Sequence, residues 1–175
     1  MSSRALPLAA AGLALAALAP TAAAQPRLPF PSPAASVSQE IGTSRVTLEY
    51  HRPAVRGRAI WGALVPYGET WRLGANEATT LTLSHDGKVA GHDVPAGTYA
   101  LFAVPARERW TLVLNRKAEQ WGAYFHDPKE DLLRFEVVPA TAPHAEWMTF
   151  ALDAVEPGTV RVSWSWEKLT FSFPV

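Results

Sequence analysis

The 175-residue chain carries 16 Lys and Arg against 16 Asp and Glu, and it has no cysteine. The balanced charge argues against a general nucleic-acid or anionic-membrane binder, which shows a basic excess. The lack of cysteine rules out thiolate zinc sites, thiol nucleophiles and redox-active disulfides, while seven Trp, seven Phe and four Tyr are enough for a core that needs no disulfide.

Residues 1–24 read as a secretory signal peptide. Arg4 is the positive n-region, Leu6 to Ala19 the apolar core, and Thr21-Ala22-Ala23-Ala24 the small-residue cleavage site. The apolar run falls short of the about 20 residues of a membrane helix. Cleavage after Ala24 is therefore expected, with no stable membrane insertion afterwards and a periplasmic or secreted location. Residues 25–36 hold four prolines and read as an extended, poorly ordered lead-in, since proline lacks the amide donor. Residues 37–175 are one domain's worth of chain.

From Val46 onward the dominant period is two, the mark of half-buried strands. Val46/Leu48/Tyr50, Leu81/Leu83, Trp110/Leu112/Leu114, Val160/Val162/Trp164/Trp166 and Leu169/Phe171/Phe173/Val175 alternate with polar residues. Tyr99–Val104, Leu132–Val138 and Met148–Val155 are further candidates. Asp86-Gly87, Pro95-Ala96-Gly97 and Glu156-Pro157-Gly158 supply turns. The pattern predicts an all-β antiparallel β-sandwich of about eight or nine strands, with one long ordered loop. Helix is confined to short turns at Ala59–Leu64 and Pro128–Asp131. The last two alternating runs are separated only by Lys168, too little for a hairpin loop. One long terminal strand with a bulge at Lys168 is expected, the alternative being a hairpin whose boundary lies elsewhere.

The long loop is Pro53–Ala78, 26 residues with Arg56, Arg58, Arg72, Trp61, Trp71, Asn76 and Glu77. Structureless loops beyond about 12–15 residues are uncommon in compact domains and usually functional or disordered, and this one is too aromatic for disorder. Just before it, Glu49 and His51 share the face of a strand opposite Tyr50, and Arg52 follows. Arginine suits carboxylate or phosphate recognition, and a buried unpaired charge is costly. Glu49 and Glu77 are thus the natural partners of Arg58 and Arg72. Glu49, Arg52, Arg58, Trp71, Arg72, Asn76 and Glu77 form either a network pinning the loop or a site for a small polar, anionic or sugar-like ligand.

Secondary candidates are His51, Asn115, Trp121 and Tyr124. The two aromatics could carry a sugar ring or simply cover the sheet. His51, His85, His92, His126 and His144 show no metal-binding spacing, and no cofactor fingerprint is present. No metal or cofactor is expected, a three-dimensional metal site at Glu49, His51 and Glu77 being the weaker alternative.

Several strings carry a resemblance: Glu49-Tyr50-x-Arg52-Pro53, Gly57-Arg58-x-Ile60, Leu64-Val65-Pro66-Tyr67-Gly68, Trp71-Arg72-x-Gly74-Ala75-Asn76-Glu77-Ala78-Thr79, Ala96-Gly97-Thr98-Tyr99 and Trp121-Gly122-Ala123-Tyr124. From Val37 to Val175 the chain resembles the exported bacterial family of unknown function DUF2911. The resemblance implies an exported, mostly β domain with no established activity and gives no catalytic residue; its members usually have a small residue where this chain has His51. The expected function is a non-catalytic ligand-binding or interaction domain of the cell envelope. The alternative is an envelope hydrolase with Glu77 or Glu49 as general base.

Overall fold

The computed structural model describes residues 30–175. The expected signal peptide and the first part of the Pro-rich lead-in lie outside them. The fold is all-β and antiparallel, with ten strands among the described residues: β1 Ala34–Ile41, β2 Ser44–His51, β3 Thr80–Leu83, β4 Gly87–Val89, β5 His92–Val94, β6 Gly97–Val104, β7 Trp110–Asn115, β8 Asp131–Val137, β9 Ala140–Glu156 and β10 Thr159–Pro174. One six-stranded sheet runs in the order β1-β2-β3-β6-β7-β8; β9 and β10 form a second sheet, and β4 and β5 a small hairpin.

The alternating residues do what their period requires. Leu48, Leu81, Leu101, Leu112 and Leu114 from the large sheet, and Val160, Val162, Trp164 and Trp166 from β10, are at most 1% exposed in one core between the two layers. Tyr50 ties the layers together, its hydroxyl accepting the Phe150 amide N–H at 3.0 Å.

β1 is a strand that periodicity does not announce. Its only large apolar residues are Val37 and Ile41, yet it pairs with β2 from Ala34↔His51 to Ile41↔Ser44. The sheet therefore begins inside the Pro-rich segment. Ser84–Asp86 bends the chain from β3 into β4, as the Asp86-Gly87 signal suggests, and the Asp86 carboxylate accepts the Ala96 N–H at 2.7 Å; the β4–β5 turn is Ala90-Gly91, both at positive φ. Pro128–Glu130 is a single 3-10 turn, as expected, whereas 59–64 forms hydrogen-bonded turns and no helix.

The terminal element is extended throughout Thr159–Pro174, with register shifts on both sides of Glu167, the second spanning Lys168. It is not straight. Val160 and Val175 exchange both backbone hydrogen bonds at 2.8 Å, Thr170 Oγ1 donates to the Trp164 carbonyl at 2.7 Å, and the Trp164 and Phe171 rings stack at 4.8 Å. The run thus folds back on itself about Glu167-Lys168, where Glu167 takes φ 55°. Placing both residues in the turn supplies the two-residue loop that a hairpin requires. β9 follows the outside of this bend. From Ser165 to Leu169 β10 advances four residues, while its partner in β9 moves eight, from Thr149 to Thr141, as the longer outer path demands.

Apolar residues also occupy the other face of the large sheet. Ala78, Ala100, Phe102 and Val113 are buried there, with Ala123 packed against them. The β7–β8 connection, 116–130, lies over this second small core.

Candidate functional site

The Pro53–Ala78 loop is held by its backbone. Trp71 forms a bridge with Ala103, donating at 2.7 Å and accepting at 2.9 Å. Its ring stacks on Trp166 at 5.7 Å with a 21° interplanar angle, joining a cluster with Trp61, Trp110 and Trp164. Leu73 is fully buried with φ 51°. Gly74 passes so close to the sheet that a Cβ would stand 2.9 Å from Thr79 Oγ1 and 3.2 Å from the His51 carbonyl. Asn76 takes φ 58°, a region that asparagine tolerates better than most residues. Thr79 closes the turn, its hydroxyl donating to the Leu73 carbonyl at 2.8 Å. The string Trp71–Thr79 is therefore an architectural device with side chains left over.

Those remaining side chains are not paired as the sequence suggests. Among the described residues no carboxylate lies within 4.0 Å of Arg52, Arg58 or Arg72. Arg52 donates to the Met148 carbonyl at 2.8 Å and to Thr149 Oγ1 at 2.7 Å, tying β2 to β9. Arg58 caps the Val55 and Ala54 carbonyls of its own loop at 3.1 and 2.5 Å. Arg72 donates from one terminal nitrogen to the Asn76 carbonyl at 2.8 Å, and its guanidinium lies 5.9 Å from the centre of the Tyr124 ring. The expected Arg–Glu network is replaced by arginines on carbonyls. Loop backbone between regular strands has carbonyls that no ladder satisfies, and the arginines meet that need.

The carboxylates go to another surface. Glu49, His51 and Glu77 line a groove of about 510 Å³ on the outer face of β1 and β2. There His51 Nδ1 and Glu77 Oε2 are 3.3 Å apart, and Phe30 meets the imidazole edge-on at 6.2 Å. The three-residue metal site weighed from sequence does not form; among the described residues no three His, Cys, Asp or Glu side chains gather to hold an ion.

A second concavity, about 340 Å³, opens at the loop end of the sandwich. Arg58, Trp71, Arg72, Asn76, Trp121 and Tyr124 all line it, and Trp166 reaches it from β10. Six of the residues singled out from sequence thus meet in one place. Trp121 and Tyr124 do not cover the sheet: they are 46% and 77% exposed. They are brought to the cavity by the β7–β8 connection, which bridges to the loop at Glu77↔Trp121 and through Gly122 N–H to the Asn76 carbonyl at 3.0 Å. A Cβ at Gly122, which takes φ 67°, would fall 2.7 Å from Arg72 Nη1 and push that guanidinium aside.

A protein-family model described as "Protein of unknown function (DUF2911)" matches residues 32–175. The chain belongs to this family. No curated protein and no solved structure matches it. In this DUF2911 chain the Trp71–Thr79 and Trp121–Tyr124 strings meet across the Asn76 carbonyl, which accepts from both Arg72 and Gly122.

Asn115 sits apart from the cavity. It is fully buried and donates to the Asp127 carbonyl at 3.0 Å and to Asp131 Oδ1 at 2.8 Å. Asp131 also contacts His126 Nε2 at 2.8 Å and accepts from Arg134 at 2.7 Å. This clasp ties the β7–β8 connection to the sheet; the side chain of its His126, which has no metal-binding spacing in the sequence, is buried against Asp131, and Arg134 carries no signal there. The available signal was Val113 and Phe102: apolar residues on the outward face announce a cover, and the cover needs a fastening.

Proposed function

We propose that this DUF2911 chain is a non-catalytic ligand-binding domain of the cell envelope, exported by its N-terminal segment, which takes a small polar ligand in the loop-end cavity. The observation that carries the reading is the convergence of Arg58, Arg72, Asn76, Trp121 and Tyr124 on one opening of about 340 Å³. Ligand pockets combine apolar walls with a few oriented polar groups in about 300–1,000 Å³. Here Leu64, Val65 and Trp71 provide the walls, and the arginines, already fastened to carbonyls, are oriented before any ligand arrives.

The partition of charge speaks for binding over hydrolysis. A hydrolase using Glu77 or Glu49 as base needs the acid and the arginine clamp around one reacting centre. In this fold the acids line the outer groove and Arg58 and Arg72 the cavity. Trp71 and Trp121 make intrinsic fluorescence a direct reporter. Titration with envelope sugars, short peptides and small anions should give a saturating change that Arg72→Ala weakens at least tenfold. A flat response across the panel would reject the reading.

A further inference from the structure

We infer that the ligand is an acidic sugar, a single ring or pair of rings bearing a carboxylate; this rests on the binding reading above and narrows it. The first ground is charge. The cavity lining contains two guanidinium groups and no Asp or Glu, while the nearby Glu77 opens on the other side of the loop. A neutral ligand would leave that positive field uncompensated, and a zwitterionic amino acid would bring its ammonium group against two arginines with no acid to receive it.

The second ground is donor geometry. Arg72 spends one terminal nitrogen on the Asn76 carbonyl. Its Nε and its other terminal nitrogen have no acceptor among the described residues. These two groups form one planar edge of the fork, the edge that takes a carboxylate through two parallel hydrogen bonds. Trp166 lines the cavity as part of its apolar wall.

The third ground is shape. Trp121 and Tyr124 present exposed rings at the opening, apolar surfaces of the kind that stack on the C–H face of a pyranose. The volume lies at the small end of ligand pockets, which suits one or two rings and not an extended chain.

Isothermal titration of the full chain separates the possibilities. The probes are glucuronate and galacturonate, the neutral parents glucose and galactose, and glucose 6-phosphate. The inference predicts that a hexuronate binds at least tenfold more tightly than its parent hexose and more tightly than the phosphate ester, with affinity falling as salt rises. It predicts that Arg72→Ala removes that preference and that Arg72→Lys, which keeps the charge but not the fork, restores only part of it. Trp121→Ala, a change at an exposed ring, should weaken uronate and hexose alike. Equal binding of hexose and hexuronate, indifferent to Arg72, would overturn the acidic-sugar assignment and leave the binding reading standing. Tighter binding of the phosphate ester would overturn the carboxylate assignment. No binding by any of the five, together with a flat fluorescence panel, would overturn both.

Discussion

Arg72 is anchored by one carbonyl and one aromatic face, and this sets what its removal costs. Breaking a buried ion pair costs about 3–5 kcal/mol, whereas losing one charged hydrogen bond and an exposed cation–π contact amounts to about 2–4 kcal/mol at most. Urea denaturation of Arg72→Ala should therefore show the smaller loss. Gly122→Ala should cost about 2–3 kcal/mol, because it combines left-handed backbone with a collision at Arg72, and it should weaken ligand binding by displacing that guanidinium. Glu146 offers a check on acid stability. Its carboxylate accepts the Arg56 N–H at 2.8 Å, and this bond, aided by His144, holds its carboxyl below the usual glutamate value. A lowered folded pKa means stability that is fully present above the unfolded value of about 4.3 and lost as pH falls through the folded one. Urea midpoints measured from pH 7 to pH 3 should fall less steeply in Glu146→Gln. At this scale the sequence showed which residues gather but not which atoms they bond. Arg58, Arg72 and Asn76 were legible because arginine and left-handed asparagine in an aromatic loop have few other uses. Their partners were not, because backbone carbonyls carry no letter in the sequence.

Periodicity served the strands well wherever one face was buried and the other wet. β2 and β3 follow their alternation residue for residue, because a slip of one position would turn every Leu outward, whereas β7 buries Val113 and Asn115 on its other face as well. β1 escaped notice since Ala34, Ala35, Ser36 and Ser38 are too small to mark a face. The reversal at Glu167-Lys168 escaped for a different reason: glutamate is a poor advertisement for a turn with positive φ. That position carries a prediction. Glu167→Val places a β-branched residue in left-handed backbone and should destabilise the protein by about 1–2 kcal/mol, with Glu167→Gly close to neutral. The tie between layers carries another. Tyr50→Phe strands the buried Phe150 N–H and should cost about 1–3 kcal/mol, read as a shift in the urea midpoint without a change in slope.

The molecule as a whole is a two-layer sandwich with the loop-lined cavity at one end. Two layers share a single core, the Trp cluster closes that core under the long loop, and the β7–β8 connection brings Trp121 and Tyr124 to the rim. The cavity is built from Ser32 before β1, the long loop, the β7–β8 connection and Trp166 of β10, so no single stretch of sequence contains it; the long loop pointed to its place and the distant Trp121-Gly122-Ala123-Tyr124 string supplied its other wall. The central claim is that this cavity receives the ligand. The most direct test is the set of seven tryptophan indole N–H signals in ¹H–¹⁵N spectra of the chain during titration with galacturonate. The account predicts that Trp121, Trp71 and Trp166 shift together and saturate, with Trp147 unmoved. Saturating shifts confined to Trp147, or no shift at Trp121 and Trp166, would contradict it.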